Sequence, residues 1–306
     1  MQCTKKALGC MYGHLIGDSL GSRYESQPAS IVQQMIAADS VQSFLPIIGG
    51  GALGLLPGQS EPLSIGKATQ NALTVGRKLS SNWYNELSNT DEEAVHQEVL
   101  DNVNKYNIGS LSNGCLMRIS PLAIYSSNCS MSVQRIEEMA RADCSLTHCE
   151  EDTKQAVFSY VLAIRGLLNG KSNKEAFEIA LNATQSTRIR GHLLTAQEKP
   201  IPVNIGDQFV NGDGKAMGYI GVALQSAFYE LLHSTSFAKS LTDVISRGGD
   251  TDTNAAIVGA LLGAHFGVHD IPEQWVNTVK ESKLRSNFKI IDYNIEQIVD
   301  KLLMMS

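Results

Sequence analysis

The sequence predicts an all-α protein, an orthogonal bundle of many helices. Three observations carry this expectation. Apolar residues recur at three- and four-residue spacing along most of the chain. No segment alternates with period two for long, and β-branched residues are scattered. Aromatic residues are only 6% of the 306 while 43% are hydrophobic, so packing falls to Leu, Ile, Val and Ala.

The elements follow in order. Residues 4–20 set Leu8, Met11, Leu15 and Ile16 on one stripe, the spacing of a buried helix face. Gly13, Gly17 and Gly21 recur every fourth residue there, a pattern that lets another helix approach closely. Residues 68–80 repeat the apolar period through Ala72, Leu73 and Val75. Thr90 with Glu93 has the spacing of a capping box and opens a helix to about residue 106. Helices follow over 132–142 and 151–169, the second stopped by Asn169-Gly170. Ser172 with Glu175 is another capping box. Residues 216–233 and the Ala/Gly-rich 252–266 are helical, Asp270, Pro272 and Glu273 open the next helix, and 290–303 is the last. Two Gly- and Pro-rich stretches, 45–66 and 185–215, are expected to be irregular; loops of that length are usually functional. No repeat, low-complexity tract or linker divides the chain, so one domain over residues 1–306 is expected.

Composition narrows the function. Lys+Arg 25 against Asp+Glu 31 gives a net charge of −6, and no basic block occurs, which argues against a nucleic-acid-coating surface. The longest apolar stretch, Ala255 to Gly267, is interrupted by His265 and is short of the about 20 residues a membrane span needs. Lys5 and Lys6 precede an apolar segment, but His14 and Asp18 break it, so it is a poor signal peptide and a cytoplasmic protein is expected. Cys3, Cys10, Cys115, Cys129, Cys144 and Cys149 are too sparse for a disulfide framework. Cys144 and Cys149 flank His148, but no second Cys/His pair completes a zinc set, so reduced buried thiols are expected. No dimer patch stands out, and a monomer is expected.

The sharpest local feature is Arg247-Gly248-Gly249-Asp250-Thr251-Asp252-Thr253-Asn254, immediately before the Ala/Gly-rich helix. Glycines there let the backbone turn tightly and come close to a ligand. Asp250, Asp252 and Thr253 offer two carboxylates and a hydroxyl, hard donors suited to Mg²⁺ or Ca²⁺. The competing explanation is a helix cap. Capping needs only one such residue, whereas two stacked carboxylates repel each other until a cation relieves them. Two further segments are weaker alone. Gly17, Asp18 and Gly21 lead to Glu25, and Ser112-Asn113-Gly114 opens a short helix whose free amides suit a phosphate or carboxylate.

Taken together these segments resemble the ADP-ribosylglycohydrolase family. The resemblance covers about residues 5 to 280 and is carried by Gly17-Asp18 with Gly21 and Glu25, Asn113-Gly114 with Met117-Arg118, Leu146-Thr147-His148, and Gly248 to Asn254. It implies a compact all-helical fold with two Mg²⁺ or Mn²⁺ ions at the bottom of a cleft, and hydrolysis of the bond between ADP-ribose and an acceptor. By resemblance, Asp250, Asp252 and Thr253 are metal ligands and Glu25 is the catalytic carboxylate. Ser112, Asn113 and Gly114 belong to the phosphate cradle, and His148 lies beside the ligand cleft.

One departure stands out. The family's second metal motif is Thr-Asp-Asp-Thr, and here the matching stretch is Gly66-Lys67-Ala68-Thr69. Thr69 keeps a hydroxyl, but Lys67 and Ala68 replace the two aspartates, and Glu61 is the nearest other acid. One ion rather than two is therefore expected, with Thr69 as a further ligand by resemblance; Lys67 is a speculative ammonium substitute for the other. Three readings follow: a Mg²⁺-assisted hydrolase acting on ADP-ribosylated protein or an ADP-ribose-containing small molecule, a catalytically impaired ADP-ribose or nucleotide-binding relative, and an interaction scaffold. Trp275 and Tyr219 are aromatic enough to stack on adenine, but each is better explained as a core or rim residue.

Overall fold

A computed structural model of the protein describes residues 2–40, 45–47, 66–76, 89–281 and 294–305. Glu61, most of the 45–66 stretch and the Thr90 side chain lie outside the described residues, and the helix expected over 68–80 is shorter, ending at Leu73 with Thr74 as its C-cap.

The fold is all-α, as the periodicity predicts, and two helices organise it. The first, α1 (Gln2–Gly21), continues through a 3₁₀ turn (Ser22–Tyr24) and the two-residue strand β1 (Gln27–Pro28) into α2 (Ala29–Asp39). The second is Thr251–Phe266, apolar on every side, with Ala255, Ile257, Val258, Leu261 and Leu262 fully buried. A helix without a polar face belongs in the interior. The two run antiparallel along a glycine seam. A Cβ on Gly9, Gly13, Gly17 or Gly21 would strike the backbone of Gly263, Gly259, Ala255 or Thr251 in turn. The backbones therefore touch, and Thr251 Oγ1 donates to the Gly21 carbonyl at 2.7 Å. This register brings the end of α1 to the start of the Thr251 helix.

The remaining elements surround this pair. α3 (Lys67–Leu73) and α4 (Asn89–Tyr106) share a small cluster of Ala72, Val99 and Val103. The Asn107 amide donates to the carbonyls of Ala68 and Thr147 at 2.7 and 2.9 Å, tying α3 to the segment before His148. α5 (Gly114–Met117) and α6 (Ser120–Tyr125) lead to α7 (Val133–Ser145) and α8 (Glu151–Leu168). α8 is buried along nearly its whole length and Tyr160 Oη donates to the Ile257 carbonyl at 2.6 Å, linking it to the central pair. The Ser172–Glu175 capping box forms as predicted and opens α9 (Asn173–Ala183). α10 (Thr187–Ala196) and the hairpin β2 (Val203–Ile205) and β3 (Gln208–Val210) follow. α11 (Ile220–His233) and α12 (Phe237–Ile245) pack on the central helix, β4 (Gly248–Gly249) introduces it as α13 (Thr251–Phe266), and α14 (Glu273–Glu281) and α15 (Ile295–Met304) complete the chain.

Two further expectations need correcting. The 185–215 stretch is not wholly irregular, because Ser186 caps a regular helix over Thr187–Ala196. The helix expected from residue 216 begins at Ile220, after the turn through Gly214, Met217 and Gly218. Trp275 and Tyr219 are core residues, in line with the core-or-rim expectation, 1% and 8% exposed, with their polar atoms bonded to the Leu45 carbonyl and to His192. All six cysteines are free; Cys10, Cys115 and Cys144 are buried, while Cys129 is exposed. No helix among the described residues is long and apolar enough to cross a membrane.

Candidate metal and ligand site

The Gly248-Gly249 pair makes the site possible. Both residues have positive φ, +74° and +77°, where a side chain is strained. A Cβ on Gly249 would also collide with the Gly212 carbonyl. The pair forms a short antiparallel ribbon with β1, Gln27 opposite Gly249 and Pro28 opposite Gly248, and the Ser26 amide donates to the Gly249 carbonyl at 2.8 Å. Glu25 is thereby held next to Asp250, although the two come from opposite ends of the sequence.

Three carboxylates converge there. Glu25, Asp250 and Asp252 each offer an oxygen, and these atoms lie within 4.8 Å of one another. Asp252 is 7% exposed, and the Glu25 Oε2 atom is buried without a hydrogen-bond partner. The Asp250 side chain does not cap its helix; it accepts from Asn113 Nδ2 at 2.8 Å, and Asn113 Nδ2 also reaches Asn254 Oδ1 at 3.3 Å. Simple capping therefore does not account for the acids. Thr253 follows on the first turn of α13, its amide donating to Asp252 Oδ1 at 2.7 Å.

Electrostatics reflects the crowding. Burial, then the charges of Asp250 and Asp18, push the Glu25 carboxyl up to about 7. Burial and Asp250 hold Asp252 well above the usual carboxylate range, and burial and Asp250 also raise Asp18. No cationic side chain contributes to any of these three shifts. A set of hard oxygens, too close together and uncompensated, suits a divalent cation. Sequence reasoning names Asp18 in a motif but gives it no role in the site. Its signal was its place in the Gly17-Asp18 dipeptide, on the glycine seam one turn before Gly21.

The predicted cradle lies beside the acids. The Ser112–Asn113 segment is pinned to the 218–220 segment: Asn113 N donates to Gly218 O, Ile220 N to Leu111 O, both at 2.9 Å, and Ser112 pairs with Tyr219. Ser112 Oγ lies 2.7 Å from Nε2 of the fully buried His148. The position of a Cβ on Gly114 would be 3.7 Å from His148 Cε1 and 3.8 Å from Thr69 Oγ1. Thr69 thus lies on the Gly114–His148 side, and no hydrogen bond joins it to the three acids. Lys67 is exposed at the start of α3, and no ion pair among the described residues links it to Asp250 or Asp252. Nor is His148 a zinc ligand beside Cys144 and Cys149, since its ring nitrogens face Ser112 and Thr147. Among the described residues the acidic trio is the one group of three or more acid, His or Cys ligands.

Comparison with other proteins agrees. The ADP-ribosyl-[dinitrogen reductase] glycohydrolase of Rhodospirillum rubrum is 24% identical over 321 residues, spanning 98% of this chain and 96% of that protein. The ADP-ribosylarginine hydrolase Tri1 of Serratia proteamaculans (strain 568) is 22% identical, spanning 92% and 77%. A solved chain from an ADP-ribosylglycohydrolase-related protein complex shares the fold at a TM-score of 0.63 and 19% identity, covering 100% of this chain and 99% of that one. The profile described as ADP-ribosylglycohydrolase matches residues 2–306. With its glycine-seamed central helices and its acidic trio, this chain belongs to the ADP-ribosylglycohydrolase family.

Proposed function

We propose that the protein hydrolyses the glycosidic bond between ADP-ribose and an acceptor, on an ADP-ribosylated protein or an ADP-ribose-containing small molecule, with one bound Mg²⁺ or Mn²⁺. The observation that carries this reading is the convergence of Glu25, Asp250 and Asp252 within 4.8 Å, beside the Ser112–Gly114 loop. The names of the relatives supply the substrate class. Asp250, Asp252 and Thr253 would hold the ion, with Thr69 on the α3 side. When bound, the ion supplies Lewis acidity and orients hydroxyl groups.

The chain's own residues supply the rest. Glycoside cleavage passes through an oxocarbenium-like transition state, which a nearby carboxylate stabilises. Glu25 suits that task and the activation of water, because its carboxylate oxygen lies within 4.8 Å of those of Asp250 and Asp252. Asn113 orients Asp250, and the amides around Asn113 and Gly114 receive the pyrophosphate. Neutralisation by amides and hydroxyls needs no basic surface, in keeping with the net charge of −6. The protein works as a cytoplasmic monomer with one domain over 1–306.

One observation favours a second reading, an ADP-ribose-binding relative of impaired activity: α3 begins Lys67-Ala68 and brings no carboxylate to the site. The deciding experiment incubates the protein with ADP-ribosylated arginine and serine peptides, with and without Mg²⁺, and measures free ADP-ribose. Mg²⁺-dependent release supports the hydrolase. Calorimetric binding of ADP-ribose without release supports the binding relative. Neither signal leaves the scaffold reading in place.

A further inference from the structure

Ser112 ends a hydrogen-bonded chain that begins at a guanidinium. Arg118 donates to Asp143 Oδ1 and to the Asp143 carbonyl, both at 2.5 Å, and its Nη2 reaches Thr147 Oγ1 at 3.2 Å. Thr147 Oγ1 lies 2.9 Å from His148 Nδ1, and His148 Nε2 lies 2.7 Å from Ser112 Oγ. Thr147 and His148 are buried, and Ser112 is half-buried at the open end.

Counting protons gives the chain a direction. A guanidinium only donates, so Thr147 Oγ1 accepts from Arg118. The one proton on Thr147 needs an acceptor, and among its described partners His148 Nδ1 alone provides one. Full burial and the neighbouring Arg118 keep the imidazole neutral, its pKa pushed down to about 4, so it carries a single N–H. With Nδ1 accepting, that hydrogen sits on Nε2 and is donated to Ser112 Oγ. Ser110 Oγ, at 3.5 Å, is a weak donor to Ser112 Oγ and does not take its proton. The Ser112 hydroxyl is left with a proton to give.

We propose that Arg118 and Thr147 are positioning residues that fix His148 as its Nε2–H tautomer, and that this polarity makes the hydroxyl of Ser112, which the family resemblance already places in the phosphate cradle, a donor rather than an acceptor there. The tautomer is independent of any ligand. The ligand clause rests on the reading that ADP-ribose occupies this cleft, since its pyrophosphate supplies acceptor-only oxygens.

Long-range ¹H–¹⁵N correlation on the ligand-free, ¹⁵N-labelled protein at pH 7 tests the tautomer, with His148→Gln giving the assignment. The expected pattern is a protonated Nε2 and an unprotonated Nδ1; a protonated Nδ1, alone or in an imidazolium, overturns the relay. Thr147→Val populates the Nδ1–H form and Thr147→Ser restores the original pattern, whereas indifference to both overturns the role of Thr147. Calorimetry with ADP-ribose on Ser112→Ala shows at least about tenfold weaker binding, the loss of one hydrogen bond to a charged group. Unchanged affinity overturns the donor role of Ser112. Absence of ADP-ribose binding by the unaltered protein, with the Nε2–H tautomer present, overturns the ADP-ribose reading and the ligand clause while the relay stands.

Discussion

The Ser26 amide donates to the Gly249 carbonyl at 2.8 Å, and this bond sets Glu25 against Asp250. The geometry depends on two left-handed glycines and on a ribbon of only two residue pairs. The acidic site is thus built by backbone contacts between the end of α1 and the turn before α13, and side-chain chemistry follows from them.

The first prediction concerns the glycine seam. Gly17→Ala forces a methyl into the Ala255 backbone and should cost about 3 kcal/mol or more, as overpacking of a rigid contact does. Gly191→Ala, at an exposed position of α10 with nothing within 4 Å of the added Cβ, should instead stabilise by about 0.5–1 kcal/mol. Urea unfolding of both variants measures the contrast.

Metal should stabilise the fold. Mg²⁺ at about one hundred times its dissociation constant should add about 2.7 kcal/mol. Asp252→Ala should abolish that gain. Gly249→Ala should abolish it too, because the strained turn would misplace Asp250. Melting curves with and without Mg²⁺ provide the check, and identical curves for the unaltered protein would count against an ion at this site.

Glu25→Gln separates activity from stability. Loss of a general base should lower kcat about a hundredfold to ten-thousandfold. The same change removes one charge from a crowded acidic group, so the metal-free protein at pH 8 should become more stable by about 1 kcal/mol, after allowance for solvent screening of a half-exposed group. A variant that is both inactive and less stable would point to a structural role for Glu25.

Two sets of groups oppose each other on acidification of the metal-free protein. His14, His148 and His192 are all pushed by burial down to about 4, so their contribution is complete above about 6.5 and is lost as the pH falls through 4. Each costs about 1.4 kcal/mol per pH unit inside that window. Glu25 has the opposite sign. Its raised value favours the folded state below its ordinary 4.5, an advantage lost as the pH rises through about 7. His192→Gln should therefore flatten the acid loss and Glu25→Gln should steepen it, as read from Tm between pH 4 and 7.5.

The helical class, the Ser172–Glu175 cap and the Gly-Gly-Asp-Thr-Asp-Thr-Asn signature were legible in the sequence, because each is written in local spacing. Helix α10 was hidden among prolines and glycines, where composition obscures a short apolar period. The pairing of Gly13 with Gly259 and of Gly17 with Ala255 was not legible, since a glycine repeat announces a close approach without naming the partner. Tertiary structure alone brought Asp18 and Glu25 to Asp250, joined Asn113 to Asp250, and linked Arg118 through Thr147 and His148 to Ser112. Local sequence fixes which groups a helix end presents; the charges and hydrogen bonds they share depend on distances that only the packed chain defines.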